Sequence, residues 1–201
     1  MNFHAAKAYI LDRLERQLSD QLTYHSLSHT LDVFHTTDEL CDLEGINPYE
    51  RLLLKTAALY HDSGFLIDNV NHEELGCGIV AEHLPRYRYT QHEIKIIQSM
   101  IMATKIPQSP KNHLEQILCD ADLDYLGRKD FYGIGNTLFQ ELKAYNVLQD
   151  KVAWNKLQVK FIEAHNFFTT SNQYRREQQK QEYLQQLREW LIRTEASQAI
   201  S

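Results

Sequence analysis

Two short stretches of the chain set imidazoles and carboxylates where they can act together. Tyr24-His25-Ser26-Leu27-Ser28-His29 places two histidines four residues apart, which on a helix puts both rings on one face. Tyr60-His61-Asp62-Ser63-Gly64-Phe65 places a histidine beside an aspartate. Neighbours on a regular helix diverge by about 100°, so His61 and Asp62 share a ligand most easily at a helix end. Ser63-Gly64 supplies such an end. Ala57 and Ala58, one turn before His61, make this face apolar and close-packed, and Asp62 is costly beside it unless paired or metal-bound.

A third stretch, Leu118-Cys119-Asp120-Ala121-Asp122-Leu123-Asp124-Tyr125-Leu126-Gly127, alternates its acids in the manner of a calcium loop. That reading fails, because the sixth position is Tyr125 and the twelfth Phe131, where such a loop needs glycine and glutamate. On a helix, Asp122 has Leu118, Cys119, Tyr125 and Leu126 as neighbours, whereas Asp120 has Gln116, Ile117, Leu123 and Asp124. Asp122 is therefore the acid expected to point inward, and a metal ion is a strong candidate for its partner. Asn71-His72-Glu73-Glu74 follows close behind the HisAsp pair. It reads equally as a solvated helix start, with acids at the positive dipole end, and as a contributor to the site.

Two histidines and two aspartates, with no thiolate, form a mixed nitrogen–oxygen donor set. It suits Mn²⁺, Fe²⁺, Co²⁺, Zn²⁺ or Ni²⁺, with Mg²⁺ a candidate for a second site. Water in the remaining positions becomes more acidic, and so nucleophilic near neutral pH.

The elements that must position these groups are all helical. Asn47-Pro48-Tyr49-Glu50 and Thr90-Gln91-His92-Glu93 carry helix-start signatures, and Ile94, Ile97 and Ile101 recur at helical spacing. Ser109-Pro110 opens a further predicted helix, which Gly127 ends in a left-handed cap. Other helices are expected near 3–19, 27–43, 72–84, 130–145, 152–168 and 172–194. No segment sustains the alternation of a strand. With no linker or composition break, one domain over 1–201 is the simplest organisation. Its metal-binding core would lie at about 20–130, with helices of 131–195 packing on it.

Composition narrows the function classes. An apolar content of 43% is too rich for disorder, yet no run approaches the ~20 residues of a bilayer span. The N-terminus becomes charged too early for a secretory leader. Three scattered cysteines, Cys41, Cys77 and Cys119, form no CxxC pair, so a reducing cytoplasm is the natural home. A net charge of −6 argues against non-specific nucleic-acid binding.

His29, His61-Asp62 and Asp122 together resemble the H…HD…D signature of the HD-domain superfamily of metal-dependent phosphohydrolases, over residues 20–130. Tyr24–His29 is similar to the YHNxxH element of cyclic-nucleotide phosphodiesterases, with Ser26 in place of the asparagine. Ala121-Asp122-Leu123 is similar to their ADL element. The resemblance implies an all-helical bundle in which His29, His61, Asp62 and Asp122 hold the metal and His25 donates a proton to the leaving oxygen. Two-metal members carry further histidines between HisAsp and the last aspartate. His72 stands where the first would be, but Ile101-Met102-Ala103-Thr104-Lys105 lacks the second, so one firmly bound metal is expected.

A phosphoester also needs cations for its oxygens. Lys105 and Arg128, with His72, are the substrate-binding candidates, the first two reading equally as surface cations; Asp32 is placed to orient a ligand or to be a solvated helical acid, and His165 to line the pocket or to sit in the core. The expected function is hydrolysis of a phosphomonoester or phosphodiester, in a nucleotide, by metal-activated water. The alternative is a non-catalytic HD module that binds a nucleotide or partner as a regulator.

Overall fold

Helix-start chemistry partitions the chain. In a computed structural model, which describes residues 1–198, Asn47 Oδ1 accepts from the backbone N–H groups of Tyr49 and Glu50 at 3.0 Å each, and Pro48 begins a helix. Thr90 and Glu93 close a full capping box: Glu93 N donates to Thr90 Oγ1 at 3.3 Å and Thr90 N to Glu93 Oε2 at 2.7 Å. The resulting elements are α1 (Phe3–Gln17), α2 (Leu27–Leu43), α3 (Pro48–Tyr60), α4 (His72–His83), α5 (Gln91–Thr104), α6 (His113–Asp122), α7 (Phe131–Ala144), α8 (Lys151–Ala164) and α9 (Thr170–Gln198). Short 3₁₀ turns follow α3, α4 and α6 at Ser63–Leu66, Leu84–Tyr87 and Asp124–Gly127. The fold is all-α, with no strand among the described residues, and the three cysteines are free thiols.

The chain divides into two compact units. The first, Met1–Leu123, is built around α3, whose Leu53, Leu54, Ala57, Ala58 and Leu59 are fully buried. It packs against α1, α2, α5 and α6, and α6 also packs on α2 and α5. Burying each such leucine removes apolar surface worth roughly 1.5–3 kcal/mol. Tyr60 OH, at the last turn of α3, donates to the Ala6 carbonyl of α1 at 3.1 Å and ties the N-terminal helix to this core.

The second unit begins at Asp124. Its 3₁₀ turn packs on α9, and α8 packs on α9 beside it. Asp124 is buried and accepts from Arg176 Nε at 2.8 Å and Asn172 Nδ2 at 3.1 Å. Lys180 is fully buried, yet its ammonium is satisfied by the His165 carbonyl at 2.8 Å and a Glu177 carboxylate oxygen at 2.9 Å. His165 thus sits in the packed interior of this unit.

Four expectations about element boundaries are corrected. His25 is not on a helix with His29, because Ser26 is the N-cap of α2 and its hydroxyl takes the His29 N–H at 3.5 Å. Ser109-Pro110 does not open α6; Asn112 caps it instead, accepting from Glu115 N at 3.1 Å while Glu115 returns to Lys111 N at 2.6 Å. Gly127 is not a left-handed cap, since α6 ends at Asp122 and Gly45 is the one positive-φ glycine among the described residues. A glycine stands at 127 because a Cβ there would come 2.4 Å from the Arg176 carbonyl oxygen. Finally, α8 stops at Ala164 rather than 168, where His165 turns extended (φ −83°, ψ 135°).

Removing the capping hydroxyl with Thr90→Ala should destabilise the protein by about 1 kcal/mol. Urea unfolding should show a lower midpoint with an unchanged slope; an unaltered midpoint would mean that the cap does not support α5.

Candidate metal centre

Three helix ends of the first unit converge. Ser26 fixes the start of α2 and so puts His29 in its first turn, where Tyr24 stacks on the imidazole with ring centroids 4.7 Å apart. The α3 helix ends at Tyr60, leaving His61 as its C-cap and Asp62 in a bridging conformation (φ −98°, ψ 7°). Asp122 is the last residue of α6. Because α2, α3 and α6 all pack on one another, these ends meet in the interior.

The contacts are short. His29 Nε2 lies 3.2 Å from Asp122 Oδ1 and 3.4 Å from His61 Nε2, and His61 Nε2 lies 3.5 Å from the same Asp122 oxygen. Asp62 Oδ2 borders this triangle, 3.1 Å from His61 Nε2 and 3.4 Å from His29 Nε2. The side chains of His29, His61 and Asp62 are at most 8% exposed and that of Asp122 14%. Asp62 Oδ2 is buried without a well-formed hydrogen bond.

The donor set fits a divalent cation. His61 Nδ1 stands 2.8 Å from the Ala58 carbonyl oxygen, which only accepts, so Nδ1 carries the hydrogen. In the neutral ring Nε2 is then the lone-pair atom, aimed at His29, Asp62 and Asp122. Donor atoms 3.2–3.5 Å apart have the spacing of neighbouring ligands around a cation bonded at about 2.1 Å. A cation there also gives the orphaned Asp62 oxygen a partner.

Protons compete for the same place. Burial disfavours a charged His61, but the Asp62 and Asp122 carboxylates outweigh it and push the imidazole well above its ordinary value. Burial likewise works against an ionised Asp62; the His61 ring offsets this and holds the carboxyl well below the usual range. For Asp122, hydrogen bonds with His29 and His61 overcome burial and bring its pKa to about 2.

A second tier surrounds the cluster. Phe65 stacks with the rings of both His25 and His72, at 4.2 Å each, and His25 stands 6.2 Å from His29. His72 Nε2 lies 3.5 Å from Asp62 Oδ1 and 3.4 Å from Glu73 Oε1, and Glu73 is itself buried. Gly64 permits this arrangement, because a Cβ there would come 1.8 Å from the His72 carbonyl oxygen. Phe65 and the Ala58 carbonyl were not anticipated from sequence, and Tyr24 and Glu73 were read only as members of their motifs, without these contacts. Phe65 adjoins the HisAsp motif, but an aromatic there reads first as core.

The remaining candidates are placed differently. Lys105 is the C-cap of α5, with its ammonium 2.5 Å from Glu74 Oε1 and 3.4 Å from Asn71 Oδ1. Arg128 belongs to the second unit and binds Asp130 at 2.6–3.0 Å, with Asp124 at 3.8 Å. Asp32 is half-buried on α2. Asp120 is fully buried, contrary to the expectation that Asp122 alone points inward; α6 is covered on several sides by α2, α3 and α5. Only Asp122 of these acids reaches the histidine pair.

Residues 26–124 match the family model of the HD domain. This stretch of the chain is an HD domain. The match begins at the cap of α2 and ends just beyond α6, so it contains His29, His61, Asp62 and Asp122. HD domains belong to a superfamily of metal-dependent phosphohydrolases and bind divalent metals, and the His29–His61–Asp122 group has its ligand atoms within 4.8 Å of one another. No curated protein and no solved structure matches the chain. No helix among the described residues is long and apolar enough to cross a membrane.

These charges fix a pH dependence. In metal-depleted protein, the raised His61 stabilises the fold fully below its ordinary value of 6.5, and that contribution is lost as pH rises through the higher folded value. Asp122 contributes above its ordinary 3.8 and loses it as pH falls through about 2. A metal must displace the His61 proton, so below the raised value its affinity should climb about tenfold per pH unit. The rise in Tm on adding Mn²⁺ should therefore grow from acid to neutral pH. A pH-independent increment would place the metal elsewhere.

Proposed function

We propose that the protein is a metal-dependent phosphohydrolase that cleaves a phosphomonoester or phosphodiester, its substrate a nucleotide. The observation that carries this reading is the meeting of His29, His61, Asp62 and Asp122 at three helix ends, with a buried Asp62 oxygen lacking a hydrogen bond. A divalent cation held by these four residues would supply a Lewis acid and an activated water for attack on phosphorus.

The chain's own groups divide the remaining work. Ala58 holds the His61 ring in the tautomer that presents Nε2. His25, stacked on Phe65 and outside the tight cluster, is the proposed acid that protonates the departing oxygen. His72, on the other stacking contact of Phe65, is the proposed contact for a phosphoryl oxygen. Lys105 is a weaker candidate for that role, since its ammonium already pairs with Glu74.

His61→Ala and Asp62→Ala should each abolish stoichiometric metal binding and turnover. His25→Ala should keep the metal but lower kcat by about 10²–10⁴-fold. The assay is a phosphatase screen over nucleotides and sugar phosphates with several divalent metals, on protein purified without a histidine tag. Turnover that survives His61→Ala with no bound metal would refute the mechanism. Tight nucleotide binding by metal-loaded protein, with no product, would instead favour a regulatory module.

A further inference from the structure

The second unit contains a cavity of about 350 Å³ that owes nothing to the metal centre. Its volume lies in the range of small-molecule sites. Both tryptophans of the chain, Trp154 of α8 and Trp190 of α9, line it, with Tyr132 of α7 beside them. Gly135 keeps its floor open: a Cβ there would meet Gln158 Oε1 at 3.2 Å and Trp154 Cζ2 at 3.8 Å.

The polar groups of this cavity are built rather than incidental. Asn155 and Gln158 line it with 4% and 8% exposure. Gln158 Nε2 donates to Asn155 Oδ1 at 3.1 Å, which orients both amides. The opposite ends of the pair, Gln158 Oε1 and Asn155 Nδ2, are not spent in that bond, which leaves one acceptor and one donor. Charge is one-sided as well. Lys151 and Arg193 line the cavity and no carboxylate does, while Arg193 Nη2 pairs outside that lining with Glu189 Oε2 at 3.6 Å. Lys151 has no acidic partner among the described residues, and its ammonium rests over the Phe139 ring at 5.1 Å.

Aromatic walls that stack a base, an amide pair that offers a donor and an acceptor to its edge, and cations for an anionic group together define a ligand. We propose that this cavity is a binding site for a purine nucleoside monophosphate, separate from the metal centre and independent of metal. An aliphatic or uncharged ligand would leave either the amides or the Lys151 ammonium unmatched.

Tryptophan fluorescence reports on this site directly, because the chain has two tryptophans and both line it. Excited on the red edge of the tryptophan band, the full chain should show saturable quenching by AMP or GMP. The response should persist in excess chelator and be absent with inorganic phosphate or ribose 5-phosphate alone. Gly135→Leu, which fills the floor, should weaken binding at least about tenfold while leaving metal content unchanged. Gln158→Leu, which removes the buried amide, should weaken it similarly and decides the question if Gly135→Leu does not fold. No saturable response to either nucleotide would overturn the proposal. So would a response abolished by chelator, one matched by phosphate alone, or one unaltered in a folded variant.

Discussion

The first unit turns on how Asp62 and Asp122 hold their charge with side chains only 8% and 14% exposed. A carboxylate taken out of water needs a counter-charge and several hydrogen bonds. Both acids, moreover, stand at the C-terminal ends of their helices, α3 and α6, where the backbone carbonyls already present partial negative charge. Two negative helix ends and two carboxylates therefore demand something positive at one point. His29 and His61 answer it within the cluster, each standing within 3.5 Å of both carboxylates. They do so with a proton or, in the proposed function, by sharing a cation.

Much of the local architecture follows from that demand. The α3 helix has to stop at Tyr60, because a regular turn would send His61 and Asp62 in different directions. Ser63 secures the stop by donating its hydroxyl to the Tyr60 carbonyl at 2.7 Å. Gly64 then lets the start of α4 come within contact distance, which carries His72 and Glu73 to the Asp62 side of the cluster. Phe65 spaces His25 from His72 and keeps both rings out of the tight triangle. Five consecutive residues, His61 to Phe65, thus supply a nitrogen donor, a carboxylate, a helix stop, a close approach and an aromatic spacer.

The helical architecture was legible because its punctuation is local. Caps at Asn47 and Thr90 depend on residues three apart and need no tertiary knowledge. Asp62 and Asp122 were legible for a related reason, since a carboxylate on an apolar face is too costly without a partner, whereas His29 joined them through the resemblance to the H…HD…D signature. What escaped depended on packing between elements. Asp120 is buried because several helices cover α6, which no single helical face reveals. Gly127 reads as a cap in sequence, yet its real constraint is the backbone of Arg176, 49 positions away. His25 leaves the face of His29 because Ser26 takes over as the cap. Phe65, Tyr24 and the Ala58 carbonyl shape the site through stacking and a backbone contact that spacing does not encode.

Anomalous diffraction from crystals grown with Mn²⁺ tests the proposed metal centre most directly. A single strong peak is expected inside the triangle of His29 Nε2, His61 Nε2 and the Asp122 carboxylate, within bonding distance of all three, with Asp62 completing the protein ligands. A map with no peak there, and with the imidazoles still in direct contact with the carboxylates, would contradict the proposed metal centre.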